Sequence, residues 1–546
     1  MPVTAAKVKL DRATPESLGF SSKSVLGFIK NIEDRGIETH SFMIIRDGKV
    51  GAEGWFAPYN ADTPHALYSF SKSFASIAVG YLIDEKVVVP KTGEPITLET
   101  RLMDIFPSRK KKAFNKNDEA LTIRQMLRMR SGKKMNLLSD KSKIDWIDDY
   151  MNAPFGDHPG DRWNYCNENS FMLCATVKEL TGQSVIEYLT PRFFEPLGID
   201  IPFWEVNQQG VESGGWGLYL KTEDMAKFIL TMLNGGKFGG RQIIPADWAK
   251  VAVEKQSDNS EELNMDSKHG YGYHFWLNGG ADGFRADGMF SQHGIAIPSK
   301  NAVIVVTCAC PMEQVMLDCI WDTFPEAFQD APLPEDEEAF AMLQEKCASL
   351  SLKKLSAGKR YPEKENEISA NTYKLRKKLF ANMIGFPSSM LALPITFMGI
   401  EKAGNITNLN FDFSENEVQV TWTEDGGKKL SVPVGLDGEY RYGRMDNFGP
   451  APFTSCSIGR WNEDGTLEIS IRPLEAISER HMVCSFEGDR ITVKMGETPD
   501  VSVIGEFLLH SFSVMFKSKA IVSFFKMLFK IVPYVLDPKL KGRKIK

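Results

Sequence analysis

Several features that would assign a protein to a familiar class are absent from this sequence. Residues 1–9 lack a basic segment followed by an apolar run, so we expect no secretory signal, and no stretch that could span a membrane follows. The eight cysteines do not have the spacing of a disulfide framework or of a zinc site. There is no glycine-rich phosphate loop, and the net charge of −6 gives no reason to expect nucleic acid as a partner. We therefore expect a cytoplasmic protein with reduced thiols and without a metal or an organic cofactor.

The length and the changes in composition along the chain predict more than one domain. A chain of 546 residues exceeds the usual size of a single hydrophobic core. Strand-like segments at 40–56 and 302–307 enclose a mainly helical stretch, which predicts an α+β domain over residues 1–325. Residues 326–405 are expected to form a linker with a helical segment. Short alternating segments separated by Asp-Gly turns predict an antiparallel β domain over 406–510. Its large aromatic residues are interpreted as core: Phe411, Phe413, Trp422 and Trp461.

The end of the chain is strongly basic. Residues 511–546 carry eight Lys and one Arg against a single Asp, and they predict an amphipathic helix followed by a basic tail. On a helical wheel Lys519, Lys526 and Lys530 fall on one narrow stripe, with apolar residues over the rest of the circumference. One interpretation is a terminal helix that packs on the β domain with its lysines in water. The other is a peripheral contact of residues 518–546 with the anionic inner surface of a membrane.

The first candidate for chemistry is the segment Ser69-Phe-Ser-Lys72, where a strand hairpin is followed by a helix predicted over 71–84. A serine hydroxyl is a poor nucleophile until a base takes its proton. Lys72, three residues on, shares a helix face with Ser69, and burial at the helix start would lower its pKa. The same helix start offers backbone N–H groups to a developing oxyanion. Because Ser-x-x-Lys recurs elsewhere in the chain, a helix cap with a solvated lysine is the alternative.

The second candidate is Tyr165-Cys-Asn167, which follows Pro159-Gly160 on a predicted tight loop. Such a loop can bring a phenol close to the Ser–Lys pair and an amide beside a substrate. A packed ring with a bonded hydroxyl is the alternative interpretation of the tyrosine. Tyr150-Met-Asn152 has the same pattern, but it lies in a helix-like acidic stretch and no Pro-Gly pair precedes it.

Together these motifs resemble the serine β-lactamase-like hydrolases, which include class C β-lactamases, penicillin-binding carboxypeptidases, and esterase and 6-aminohexanoate-oligomer-hydrolase relatives. The resemblance covers about residues 15–325. It extends to further segments in the same order along the chain: Leu121–Gly132, Thr181-Gly182, Phe194–Gly198, Gly214–Leu218 and Thr222–Asp224. It implies a β-lactamase/transpeptidase-like domain, in which an antiparallel sheet flanked by helices is joined to a helical subdomain.

The resemblance also implies roles for individual residues. Ser69 would be acylated, and Lys72 and Tyr165 would share the work of the general base. Asn167 would hold the amide or carbonyl of the substrate. The backbone N–H of Met289 would join that of Ser69 in the oxyanion hole.

The third motif of the family departs from its usual form of a basic residue, Thr or Ser, and Gly. It falls at Ala286-Asp287-Gly288, and Gly288 and Met289 resemble the esterase and oligomer-hydrolase branch at a substrate-binding position. Ala286 cannot supply the positive charge that binds the carboxylate of a β-lactam or peptide substrate. This argues against β-lactam turnover and for hydrolysis of a small ester or amide. The alternative is a binding or sensor protein that keeps the penicillin-binding fold without turnover, because Asp287 could place a negative charge near the oxyanion. The neighbouring His293 is interpreted as a bonded core residue.

Overall fold

The computed structural model describes residues 8–109, 116–134, 144–262, 265–376, 406–445, 453–500, 523 and 539–545. The chain forms two compact units, residues 1–351 and 352–546. None of the helices within the described ranges combines the length and the apolar character that crossing a membrane requires. Apart from Ser523, the predicted amphipathic helix lies outside the described residues, as does the membrane contact assigned to it.

The first unit combines helices with a central sheet. Its helices are α1 (Ser22–Asp34), α2 (Ser71–Asp84), α3 (Leu102–Ile105), α4 (Asn117–Ala120), α5 (Ile123–Leu127), α6 (Trp146–Asn152), α7 (Asn167–Thr181), α8 (Val185–Leu189), α9 (Thr222–Leu233), α10 (Ala246–Ala252), α11 (Glu313–Trp321), α12 (Phe324–Ala327) and α13 (Glu337–Ser349). Its strands are β1 (Thr39–Arg46), β2 (Lys49–Trp55), β3 (His65–Ala66), β4 (Tyr219–Leu220), β5 (Lys237–Phe238), β6 (Arg241–Gln242), β7 (Trp276–Leu277), β8 (Phe284–Gly288), β9 (Gln292–Ile297) and β10 (Ala302–Cys308).

The central sheet has six strands in the order β2-β1-β10-β9-β8-β7, and neighbouring strands are antiparallel. Successive side chains of a strand point to opposite faces of its sheet. In β1 the hydroxyl of Ser41 bonds to that of Thr222 at the start of α9, at 2.7 Å. The next residue, Phe42, packs edge-on against Phe28 of α1, with ring centroids 5.9 Å apart. Helices therefore cover both faces of the sheet, as the α+β prediction requires.

Helix α2 is surrounded by protein along most of its length. Its residues from Ser71 to Leu82 are buried, which fits the apolar helix predicted over 71–84. Gly80 allows α10 to approach closely, because a Cβ atom there would overlap the ring of Trp248. The helix is thereby held as a fixed support for the residues at its N-terminus.

The boundary between the two units lies after Ser351 and not at residue 325 as the composition predicts. Residues 337–349 form α13, which is tied to α1 by a Lys346–Glu33 ion pair of 2.7 Å. Ala339 and Leu343 are buried on its inner side. Acidic residues on both sides of these two positions make the segment resemble a linker, although it returns to pack on the first unit.

The second unit contains helix α14 and a sheet of ten strands. Its elements are α14 (Pro362–Ser369), β11 (Thr372–Leu375), β12 (Ile406–Phe413), β13 (Glu417–Glu424), β14 (Lys429–Gly435), β15 (Arg441–Met445), β16 (Phe453–Trp461), β17 (Leu467–Pro473), β18 (Glu479–Glu487), β19 (Arg490–Thr498) and β20 (Lys539–Ile545). A pairing between β14 and β16 closes this sheet into a barrel. Buried and half-buried residues alternate along β13, as expected for a strand with one face towards a core. The interpretation of Trp422, Trp461 and Phe411 as core residues is confirmed, and Phe413 stacks on Trp461.

The predicted basic tail is wrong for residues 539–545, which form strand β20 between β11 and β19. Leu540 and Gly542 are buried, whereas Lys539, Lys541 and Arg543 are exposed. This period of two is the pattern of a strand with one face towards a core, but the many basic residues hide it in the sequence.

Candidate active site

Ser69 lies on a short turn between β3 and α2. The preceding residue, Tyr68, has a φ of +48°, in the left-handed region that residues with a side chain rarely adopt. Phe70 is fully buried, and the hydroxyl of Ser71 accepts a hydrogen bond of 3.1 Å from the N–H of Leu218. These anchors fix the turn on both sides while Ser69 itself stays half-exposed. A strained backbone held by buried neighbours is typical of functional positions.

Lys72 lies directly behind this serine. Its amino group is 2.8 Å from the Ser69 Oγ and donates a second hydrogen bond of 2.6 Å to the carbonyl of Gly215. Only 1% of the residue is exposed, and burial lowers the pKa of the amino group to about 7. A substantial fraction of Lys72 is therefore neutral near pH 7 and able to accept a proton.

Tyr165 reaches the same place from a different part of the chain. Its loop is held on the segment after α5, because Gly160 donates to the carbonyl of Arg130 and Asn164 to that of Met129, both at 2.8 Å. The amino group of Lys72 lies 4.7 Å from the centroid of its ring, and its hydroxyl is close enough to Ser69 for that side chain to affect the phenol pKa. Burial raises the pKa of Tyr165 well above its ordinary value. The phenol is thus protonated at neutral pH.

Asn167 begins α7, two residues after this tyrosine. It lies against Gly215, where an added Cβ would be 3.0 Å from the Cβ of Asn167. The rival tyrosine of the sequence pattern, Tyr150, is buried in α6 and its hydroxyl donates to Asn169 at 2.7 Å. Ser69, Lys72, Tyr165 and Asn167 therefore surround one point, whereas Tyr150 is a packed core residue.

Gly288 and Met289 lie at the end of β8, beside the serine turn. A Cβ at Gly288 would overlap the carbonyl oxygen of Leu67, so only glycine allows this close approach of two backbones. The rings of Tyr68 and Phe290 pack edge-on with centroids 5.4 Å apart. Met289, which follows Gly288 and is half-exposed, therefore lies close to the turn that carries Ser69. The structure thus brings together all six residues that the sequence singled out.

The third-motif strand carries a buried charge network. Ala286 is buried, and the carboxylate of Asp287 accepts hydrogen bonds from Arg285 at 2.6 Å and from His293 at 2.7 Å. Burial alone would raise the pKa of Asp287, but Arg285 and His293 hold it below its ordinary value. The charge of Asp287 is therefore compensated by Arg285, which weakens the argument that it opposes an oxyanion. His293 is fully buried and bonded, as interpreted.

An aromatic wall, defined as Trp163, Tyr165, Tyr271 and Trp276, extends from the catalytic candidates. Tyr165 and Trp276 stack with centroids 5.6 Å apart, and Tyr271 meets Trp276 edge-on at 4.9 Å. Trp163, Tyr165 and Trp276 are half-exposed, and Tyr271 is buried. Sequence reasoning did not identify Tyr271 or Trp276, since about a hundred residues separate them from Tyr165 and no local pattern marks them.

Glu313, at the start of α11, is a further ionisable group near this site that the sequence did not indicate. Burial raises the pKa of its carboxyl group to about 7. Among the described residues, no cluster of three His, Cys, Asp or Glu side chains could hold a metal ion. All eight cysteines are free thiols.

The sequence and the fold were compared with protein families, with single proteins and with solved structures. The family model described as Beta-lactamase matches residues 27–313, slightly more than half of the 546-residue chain. The 6-aminohexanoate-dimer hydrolase of Paenarthrobacter ureafaciens is 23% identical over 335 residues, which are 56% of this chain and 82% of that protein. Among solved structures, a penicillin-binding protein homolog from Caulobacter crescentus is 15% identical with a TM-score of 0.47, covering 58% of this chain and 100% of its own. D-amino acid amidase from Ochrobactrum anthropi SV3 is 15% identical with a TM-score of 0.43, covering 56% and 99%.

Proposed function

Because the chain belongs to the beta-lactamase family, a family of serine hydrolases, we propose that it hydrolyses an ester or amide bond of a small substrate through an acyl-enzyme on Ser69. The observation that carries this proposal is the contact of 2.8 Å between the Lys72 amino group and the Ser69 hydroxyl. Burial lowers the pKa of Lys72 to about 7, so that its neutral form is available as a base at physiological pH.

In the first step, neutral Lys72 takes the proton of the Ser69 hydroxyl as its oxygen attacks the carbonyl carbon of the substrate. The new C–O bond converts the carbonyl into a tetrahedral oxyanion, which the backbone N–H groups of Ser69 and Met289 stabilise. Tyr165 acts in its protonated form, because burial raises its pKa well above its ordinary value. Its hydroxyl orients Ser69 and donates a proton to the leaving alcohol or amine. Protonated Lys72 then returns a proton to the phenol oxygen.

In the second step, water attacks the acyl carbon, and neutral Lys72 again accepts the proton. The ester bond to Ser69 breaks, its oxygen regains a proton, and the acid product leaves. Asn167 holds the amide or carbonyl of the substrate during both steps. This division of roles uses one base and one neutral hydroxyl, in place of the shared general base that the family resemblance implies.

The surroundings of the site favour a substrate without a carboxylate next to the scissile bond. Ala286 provides no cation, and Arg285 is engaged by Asp287 at 2.6 Å. The half-exposed rings of the aromatic wall offer an apolar surface for a flat or aliphatic group. The similarity to a 6-aminohexanoate-dimer hydrolase supports a small amide as one substrate class.

A steady-state assay with p-nitrophenyl acetate tests the proposal. We expect many turnovers per molecule in the natural protein and none above background in a Ser69→Ala variant. Release of a single equivalent of p-nitrophenol, with a stable acyl group on the protein, would instead support the binding or sensor alternative. Equal rates for the natural protein and the Ser69→Ala variant would refute both interpretations.

A further inference from the structure

The turn that follows β8 has a backbone that needs support from its surroundings. Phe290 and Ser291 both have a φ of +66°, in the left-handed region that residues with a side chain rarely occupy. Two such residues in succession persist only where the neighbouring structure holds them. The turn also carries Met289, the second oxyanion donor of the proposed mechanism. The contacts that hold this turn therefore also determine the position of the Met289 N–H.

The side chain of Gln292 makes the most extensive set of contacts with this turn. It is fully buried at the start of β9, and its amide nitrogen donates to the carbonyls of Met289 at 3.2 Å and Phe290 at 3.0 Å. The same nitrogen donates to the carbonyl of Cys308 at 2.7 Å, so its other N–H is shared between the carbonyls of Met289 and Phe290. The amide oxygen accepts the N–H of Cys308 at 3.3 Å. One amide thus fastens the turn to the end of β10.

Other contacts support the turn but not the peptide group of Met289. The N–H of Cys310 donates to the Phe290 carbonyl at 3.2 Å, and the Ser291 hydroxyl lies 3.4 Å from the carbonyl of Cys310. By contrast, none of the described residues accepts a hydrogen bond from the N–H of Met289. That N–H is the donor that the turn leaves open beside the serine.

We propose that Gln292 is a positioning residue that holds the N–H of Met289 towards the developing oxyanion. It acts through the Met289 carbonyl and touches no substrate atom itself. The close approach of Gly288 to Leu67 fixes the turn on one side of Met289, and the Gln292 amide fixes it on the other. The inference rests on the proposed hydrolase function, because an oxyanion hole has a role only where a carbonyl is attacked.

The experiment compares a Gln292→Met variant with the natural protein and with a Gln242→Met control. Gln242 is a control of the same residue type, because its amide also bridges two backbone carbonyls, those of Gly235 at 2.9 Å and Ile244 at 2.7 Å. It is exposed and lies away from the serine turn. Two quantities are measured in each protein. One is hydrogen exchange of the peptide containing residues 284–297, by mass spectrometry. The other is the kcat and KM for an oxo ester and for its thiono counterpart, whose sulfur is a poor hydrogen-bond acceptor.

For Gln292→Met we expect faster exchange in that peptide and a kcat on the oxo ester that is roughly 10- to 100-fold lower, with KM changed by less than about threefold. The preference for the oxo over the thiono ester should fall by a similar factor, which a merely structural loss would not cause. The Gln242→Met control should match the natural protein in hydrogen exchange, in kcat and KM for the oxo ester, and in the preference for the oxo over the thiono ester. If Gln292→Met does not fold, Gln292→Leu, which is smaller, carries no charge and also lacks the donor, takes its place.

Unchanged exchange, an unchanged kcat, or a kcat loss that is equal for both esters would each overturn the inference about Gln292. Those outcomes leave the hydrolase proposal standing, because the natural protein still turns over. Absence of turnover in the natural protein is the separate result that defeats the proposed function and this inference with it.

Discussion

Replacing Lys72 by Met should remove activity and increase the stability of the first unit in acid. Methionine fills nearly the same space without a charge. Burial lowers the pKa of Lys72 from 10.5 to about 7, so the folded protein disfavours the protonated amine below pH 7. At 1.36 kcal/mol per pKa unit, this penalty reaches about 5 kcal/mol in acid. The carbonyl of Gly215 loses its bond of 2.6 Å to Lys72, and leaving it unpaired costs about 1–3 kcal/mol.

The pH dependence gives the sharper prediction, because cavity and hydrogen-bond losses do not change with pH. A pKa that is lowered in the folded state means that the unfolded chain binds more protons between the two values. The natural protein therefore gains stability as the pH rises from about 7 to 10.5, and Lys72→Met does not share this gain. The advantage of the variant should be about 2–4 kcal/mol at pH 6 and should shrink by about 2.5 kcal/mol between pH 6 and pH 9.

Urea unfolding followed by pulse proteolysis and peptide mapping would measure this difference separately for each unit. Lys227→Met is the matched control, because Lys227 is also buried but lies 3.5 Å from the carboxylate of Asp224. Its removal leaves that carboxylate without its partner, and a loss of about 3 kcal/mol is expected. A Lys72→Met variant that is less stable than the natural protein at pH 6, or a difference that does not vary with pH, would refute the argument.

Four further predictions concern activity and packing. The kcat/KM of the natural protein should fall about tenfold per pH unit below pH 7, because protonated Lys72 cannot accept a proton, and a flat profile from pH 5 to 8 would exclude it as the base. Tyr165→Phe should lower kcat by about 100-fold with little change in KM, and an unchanged kcat would count against its hydroxyl. Gly288→Ala should cost about 1–3 kcal/mol of unfolding free energy and slow acylation, since its Cβ meets Leu67, and a variant with natural stability and rate would show that the backbones can separate. Trp276→Leu should raise the KM for aryl esters by a few-fold but not that for methyl esters, and equal effects on both would argue against the aromatic wall as a binding surface.

Local patterns predicted the elements that carry the chemistry. A serine and a lysine three residues apart at the start of an apolar helix must share a face, and the structure shows the resulting contact of 2.8 Å. The loop with Pro159-Gly160 distinguished Tyr165 from Tyr150, because a positive φ of 99° at Gly160 permits the turn. The family resemblance implied the antiparallel sheet of the first unit, and the strand-like segments at 40–56 and 302–307 predicted three of its strands.

Other parts of the site depend on contacts that leave no local pattern. The carbonyl of Gly215 binds Lys72, and the carbonyl of Leu67 meets Gly288, but backbone atoms are the same in every residue. Gln292 acts through three backbone carbonyls in the same way. Such contacts arise only when distant segments fold together, so residue types and spacing alone do not reveal them.

The ends of the units were harder to predict for a related reason. Helix α13 buries only Ala339 and Leu343, and the charged residues around them hide the narrow side that packs on α1. Strand β20 pairs with β11 and β19, which precede it by long stretches of sequence, and its lysines obscure its alternation. The amphipathic helix and its membrane contact through residues 518–546 stay predictions.

The central claim is that Ser69 is an activated nucleophile, and labelling with a fluorophosphonate tests it most directly. The folded protein and its Ser69→Ala variant would be treated at pH 7 and at pH 5, and adducts located by intact-mass and peptide-level mass spectrometry. We predict one adduct on the peptide that contains Ser69, formed more slowly at pH 5 and absent from the variant. No adduct in folded natural protein, or the same adduct in the Ser69→Ala variant, would contradict the claim.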